Sequence, residues 1–180
     1  MKKLHILTLA FIINSVVVLG QNERVKGAII PDFGETFKVE NPEIKTNTNS
    51  TLKVIFDVSK SPENETQINN YLVTAARFLN MHANIGMKPN QLKVAITVHG
   101  AAWKDILNDS VYMEKYNSKN PNSALLNQLN TAGVDIIMCG QTAAFREVKK
   151  TDVNPNVKFA LSAMTALLQY QNNDYKFIKF

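Results

Sequence analysis

Between residues 51 and 180, short apolar runs rich in β-branched residues alternate with stretches of helical spacing, and this alternation restricts the fold more than any other feature of the chain. The runs cover residues 52–59, 92–99, 134–139, 157–161 and 175–180. Nearly continuous apolar strands suit a sheet covered on both faces, because the helices that connect parallel strands must pack on those faces. The expected fold is therefore α/β: a three-layer α/β/α sandwich with a mainly parallel five-stranded sheet.

The segments between the runs support this reading. Ser61 offers an N-cap oxygen and Pro62 suits a first helical position, where its missing N–H is not needed. Apolar residues then recur at Ile68, Leu72, Ala75 and Leu79, with His82 on the same stripe, which predicts a long amphipathic helix ending near Ile85 and Gly86. Helical spacing returns over 101–107, 123–129, 142–150 and 163–170, while 108–120 reads as a polar connection.

The first 20 residues have a different character. Lys2 and Lys3 precede an apolar stretch from Leu4 to Leu19, and the small residue Gly20 follows. This is the three-part pattern of a secretory signal peptide, and about 16 apolar residues fall short of the roughly 20 that a stable span needs. The expectation is a periplasmic or secreted protein with no stable membrane insertion after cleavage. Residues 21–50 contain Pro31, Gly34 and Pro42 and end in a polar run, which reads as an N-terminal arm and linker ahead of the domain at 51–180. Ile29, Ile30, Phe33, Phe37 and Val39 are too apolar for a wholly solvated tail, so part of the arm is expected to lie on the domain or on a neighbouring subunit.

Charge narrows the function classes. The formal net charge is +5, but removing Lys2 and Lys3 leaves 18 basic against 15 acidic residues, or +3. The longest basic run is the pair Lys149 and Lys150, which gives no case for nucleic acid. A lone cysteine rules out an internal disulfide. One Cys and two His after the signal lack the paired spacing of zinc sites, so neither a metal nor a cofactor is expected. The G-x-S-x-G elbow and the glycine-rich phosphate loops are absent.

Ligands of open parallel sheets meet the crevice outside the carboxyl ends of the strands. Two reactive side chains fall at such ends, His99 and Cys139. Cys139 is followed by Gly140, Gln141 and Thr142 and then helical spacing, so its sulfur can face the free N–H groups of a helix start, which favour thiolate over thiol. The competing interpretation is a small buried residue closing a buried strand. Gly100, Gly140, Gln141 and Thr142 are the residues assigned to stabilising an anionic sulfur or ligand. His82, on an apolar stripe, and Trp103 and Tyr112, near Gly100, read as packing residues.

The run into Val98-His99-Gly100, the stretch 133–139 followed by Gly140-Gln141-Thr142, and residues 157–168 with a closing Tyr175-x-x-Ile178 strand resemble DsrE/DsrF-like proteins over about residues 51–180. The resemblance implies a three-layer α/β fold, frequent homo- or hetero-oligomers and, in sulfur-trafficking members, one cysteine that carries sulfur as a persulfide. Cys139 matches that position, and Asp174 stands where a glycine often precedes the last tyrosine. The partners implied are further copies of the chain and a sulfur donor or acceptor, either a protein or a small thiol. The alternatives are a non-catalytic oligomeric module that binds a small ligand or protein around a structural Cys139, and redox sensing through an intermolecular Cys139 disulfide.

Overall fold

A computed structural model describes residues 23–180. The signal-peptide reading of residues 1–20 lies outside the described residues. Two short strands, β1 (Arg24–Val25) and β2 (Thr36–Phe37), pair antiparallel ahead of the main domain. The domain then runs β3 (Leu52–Val58), α1 (Asn70–Asn84), β4 (Leu92–Val98), α2 (Asp109–Tyr116), α3 (Ser123–Thr131), β5 (Asp135–Cys139), α4 (Gly140–Phe145), β6 (Lys158–Ala160), α5 (Ala163–Asn172) and β7 (Lys176–Lys179). The main sheet has the order β6-β5-β4-β3-β7, and every neighbouring pair is parallel.

The period-two alternation of strand side chains divides the core in two. Val54, Phe56, Ile96, Val98, Ile136 and Met138 point to one face and join the larger cluster with Leu72, Leu79, Leu125, Leu126 and Leu129 of α1 and α3. Ile55, Ala95 and Ile137 point to the other face, where they meet Ala166 of α5 in a much smaller cluster. The asymmetry follows from connectivity. After β6, at one edge, the chain must cross the whole sheet to reach β7 at the other, and α5 is the helix that makes this crossing. The crossing segment carries apolar side chains on its outer side: Leu161, just before α5, is 72% exposed, and Met164 and Leu168 of α5 are 71% and 62% exposed.

Several local boundaries differ from the sequence expectation. The long helix begins at Asn70, not at Ser61 and Pro62, because Asn69 is the cap: its Oδ1 accepts from the Tyr71 N–H at 2.9 Å. Ser61 instead donates its hydroxyl to Asp105 Oδ1 at 2.9 Å. The polar stretch 108–120 contains α2, capped by Asn108, whose Oδ1 accepts from the Val111 N–H at 2.9 Å. Tyr112, 1% exposed, anchors that helix and donates its hydroxyl to Glu65 O at 2.8 Å. α4 starts at Gly140 and stops at Phe145, short of Lys150; shortly after its end, Glu147 takes a left-handed backbone with φ 55°.

The arm lies on the domain. Asn80, fully buried on α1, accepts from Ile29 and Ile30 N–H at 3.3 and 2.8 Å. Its amide donates to the carbonyls of Ile30, Phe33 and Gly34 at 2.9, 2.9 and 3.1 Å. Ile30, 1% exposed, joins the larger core cluster. Gly34 has φ +72°, and a Cβ there would come within 2.5 Å of the Arg77 backbone nitrogen, so the close approach to α1 needs glycine.

Candidate functional site

β3, β4 and β5 lie side by side and in parallel, so their carboxyl ends open on one side of the sheet. The β4–β5 pairing ends at Val98 and Met138, and one residue further on each strand stand His99 and Cys139. Both fall on the face covered by α5, as do Asp57 and Thr97, which are partners in the β3–β4 register. The strand pattern thus brings a cysteine, a histidine and a carboxylate to adjacent strand ends on one face.

Cys139 closes β5 and is also the cap residue of α4. It is 6% exposed, so the sulfur is buried. Its surroundings are polar nevertheless. Burial pushes the thiol pKa up, but the amide and hydroxyl of Thr142 and the amides of Ala163 and Gln141 outweigh burial and hold it below the ordinary thiol value. Ala163 is the first residue of α5, so donors from the starts of two helices converge on one sulfur. No capping hydrogen bond of full alignment forms to Sγ, and the effect is that of several donors near a potential anion.

Thr142 is held in place from the other side. Gly100 N–H donates to Thr142 Oγ1 at 3.4 Å, which occupies an acceptor site of the hydroxyl and leaves its proton for the sulfur. Gly140 permits the tight connection: a Cβ there would stand 2.6 Å from Ala160 O and 3.0 Å from Leu161 O. Gln141 donates its side-chain amide to Leu161 O at 3.3 Å and so ties α4 to the segment that begins α5. Gly100 has φ +56°, with the Ser59 carbonyl 2.9 Å from a notional Cβ.

His99 engages a different partner from the thiol. Its Nε2 lies 2.7 Å from Asp57 Oδ1, and Lys179 Nζ lies 2.9 Å from Asp57 Oδ2. Thr97 Oγ1 also donates to Asp57 Oδ1, at 3.2 Å. Burial raises the Asp57 pKa, but the hydrogen bond from Lys179 and then the charge and hydrogen bond of His99 bring it below the usual carboxylate range. Asp57 and Lys179 were missed at the sequence level. Asp57 gave a signal, since a carboxylate inside an apolar strand run must find a partner when buried. Lys179 gave none, because it reaches Asp57 only through the β3–β7 pairing. Ala163 likewise meets Cys139 only through the crossing of α5.

Of the remaining candidates, His82 uses Nδ1 with Phe78 O at 2.8 Å, away from the strand ends. The Trp103 ring has the Arg146 guanidinium 5.8 Å from its centroid. A concavity of about 730 Å³ lies elsewhere, between α1 and the β7 edge, lined by Phe56, Phe78, Met81, Ile178 and Phe180 among others. Among the described residues no group of three or more His, Cys, Asp or Glu side chains is arranged to hold a metal, and no helix is long and apolar enough to cross a membrane.

The DsrE/DsrF-like family model matches residues 53–180. No curated protein matches the chain. Among solved structures, the chain is similar to MTH1491, a protein of unknown function from Methanobacterium thermoautotrophicum, with a TM-score of 0.54 and 14% identity over 72% of this chain and 99% of that one. It is also similar to the ychN protein from E. coli, with a TM-score of 0.53 and 15% identity over 72% of this chain and 100% of that one. At such identities these two likenesses speak for the fold alone.

Proposed function

The chain belongs to the DsrE/DsrF-like family, and from that premise we propose that it is an exported sulfur carrier or sulfurtransferase in which Cys139 accepts sulfane sulfur as a persulfide. The observation that carries this reading is the ring of donors around Cys139: Thr142, Ala163 and Gln141 favour the anionic sulfur strongly enough to overcome its burial. A thiolate is the nucleophile in sulfur exchange, and a persulfide anion needs the same amide and hydroxyl donors. Export rests on the pattern of residues 1–20, with the periplasm or the exterior as the destination. The donor and acceptor are a small thiol or a partner protein.

Intact-mass analysis of the folded mature chain after exposure to a small-thiol persulfide tests the reading. The expected result is a gain of about 32 Da that maps to Cys139 and disappears on reduction. No gain under conditions that load a known persulfide carrier overturns it.

A second reading is a non-catalytic oligomeric module with a structural Cys139. It is favoured by the 6% exposure of that residue and by the exposed apolar stripe of Leu161, Met164 and Leu168 on and beside α5. It calls for a thiol that resists alkylation until the chain unfolds and for a Cys139→Ser variant that assembles and binds as the wild type does.

A further inference from the structure

We propose that Asp57 is a positioning residue which, by fixing His99 through Nε2, makes the imidazole the proton donor to the thiolate that leaves when sulfur is transferred to Cys139; this rests on the sulfur-carrier reading above. Asp57, His99 and Cys139 occupy the carboxyl ends of three consecutive strands, β3, β4 and β5, on the same sheet face. Nucleophile, base and orienting carboxylate in that sequence form a recurrent arrangement for handling one proton beside a reactive atom.

The carboxylate is built for this task. Its side chain is 4% exposed, whereas the His99 side chain is 28% exposed, so the orienting group is buried and the proton-carrying group reaches solvent. Lys179 neutralises Asp57 through Oδ2, which leaves Oδ1 to His99 and Thr97. With Nε2 committed to Oδ1, Nδ1 is the nitrogen that serves the reacting groups. Gly100 begins the turn after His99 and bonds Thr142 Oγ1, so the backbone that carries the imidazole is linked to the hydroxyl beside the sulfur.

The transfer balances as follows. The Cys139 thiolate attacks the outer sulfur of a hydropersulfide R–S–SH, the donor S–S bond breaks, and a new S–S bond gives Cys139–S–SH. The electron pair leaves on R–S⁻, which takes the proton of the His99 imidazolium and departs as R–SH. Neutral His99 then regains a proton from water. The sulfur atom moves in its existing oxidation state, so neither an oxidant nor a reductant is consumed. The acceptor half-reaction reverses the proton path.

The titratable and charged groups around the imidazole are Asp57 on β3, Lys179 on β7 and Cys139 on β5, while α4 and α5 contribute no charged side chain. The rate of Cys139 loading from cysteine hydropersulfide should therefore rise with pH as the thiol ionises, from below the ordinary thiol range. A thiolate is a good leaving group, so the contribution of the acid lies below the usual range for general acids, at about tenfold.

The experiment measures loading rate against pH by intact mass for the wild type, Asp57→Asn, His99→Ala and the double variant. His99→Ala should lose about tenfold in rate, and added imidazole should restore part of it. Asp57→Asn should lose a similar factor, and the double variant little more than either single one, because the two residues act as a unit. Additive losses, or an unchanged profile in Asp57→Asn that melts like the wild type, overturn the proposal while leaving the carrier reading intact. If Asp57→Asn does not fold, an unchanged His99→Ala profile overturns it alone. A wild type that gains no sulfur overturns the carrier reading and this proposal together.

Discussion

Asn69 donates its amide to Asp105 Oδ2 across 2.6 Å, joining the cap of α1 to a carboxylate that is 1% exposed. The same amide donates to Lys60 O at 2.8 Å, and Ser61 donates to Asp105 Oδ1 at 2.9 Å. These contacts hold the 61–69 loop beneath the sheet ends and explain why the helix starts where it does. Burial pushes the Asp105 pKa up to about 6, against the opposing pull of Asn69, Ser61 and the Lys104 charge.

That displacement sets a pH dependence of stability. The folded carboxyl keeps its proton up to about pH 6, whereas the unfolded one loses it near 3.8, so the folded state is favoured by this group at pH below 3.8. The advantage declines as pH rises between those values and is gone above about 6. The displacement corresponds to about 3 kcal/mol. Asp105→Asn removes the ionisation, so its stability relative to the wild type should improve between pH 4 and pH 7 by about 2–3 kcal/mol in urea titrations. Parallel pH profiles for the two proteins would reject this assignment.

Asn80 is the attachment point of the arm. Asn80→Ala deletes the acceptor for Ile29 and Ile30 and the donor for three carbonyls, leaving buried backbone groups without partners. The expected loss is about 2–4 kcal/mol, concentrated in the arm. Limited proteolysis of the folded variant should cut within residues 26–50 while 51–180 persists, and a wild-type cleavage pattern would show that the apolar contacts of Ile30 suffice.

The legible part of the fold was the part encoded by period. The apolar runs that became β3 to β7 needed no tertiary information, and the continuous burial of Val54, Ile55 and Phe56 is what a strand covered on both sides looks like in one dimension. The start of α1 was not legible, because Ser61 and Pro62 form a good local cap signal that loses to a buried network between Asn69, Asp105 and Asn122, whose members are far apart in the chain. α2 was hidden because its one fully buried residue, Tyr112, lies within a polar segment. At the site, Cys139 and His99 could be placed from strand ends, together with the local donors Gln141 and Thr142. Asp57, Lys179 and Ala163 complete it through strand order and a crossing helix, which no local pattern reports.

Gly140 is a steric prediction. The Cβ of alanine would lie 2.6 Å from Ala160 O, a backbone atom of the neighbouring strand, so the start of α4 must shift away from β6. Gly140→Ala should cost about 1–3 kcal/mol in stability. It should also slow alkylation of Cys139 in the folded protein, because the Gln141 and Thr142 amides move with the helix. A variant with wild-type stability and reactivity would mean that β6 yields instead.

The hydroxyl of Thr142 provides the most direct check on the sulfur itself. Because its donors outweigh burial, Cys139 should ionise below the range of an ordinary thiol, and the rate of iodoacetamide alkylation of the folded protein should reach half its plateau at correspondingly low pH. Thr142→Val keeps the shape and the backbone amide but deletes the O–H, so the thiolate loses one donor while burial still opposes it. The half-plateau pH should move upward, and the rate at pH 7 should fall by about tenfold, the value of a hydrogen bond to a charged group. Restoring the hydroxyl with Thr142→Ser should recover most of that loss. An unchanged profile in Thr142→Val would mean that the threonine proton is aimed elsewhere, leaving the amides of Gln141, Thr142 and Ala163 as the groups that favour the anion.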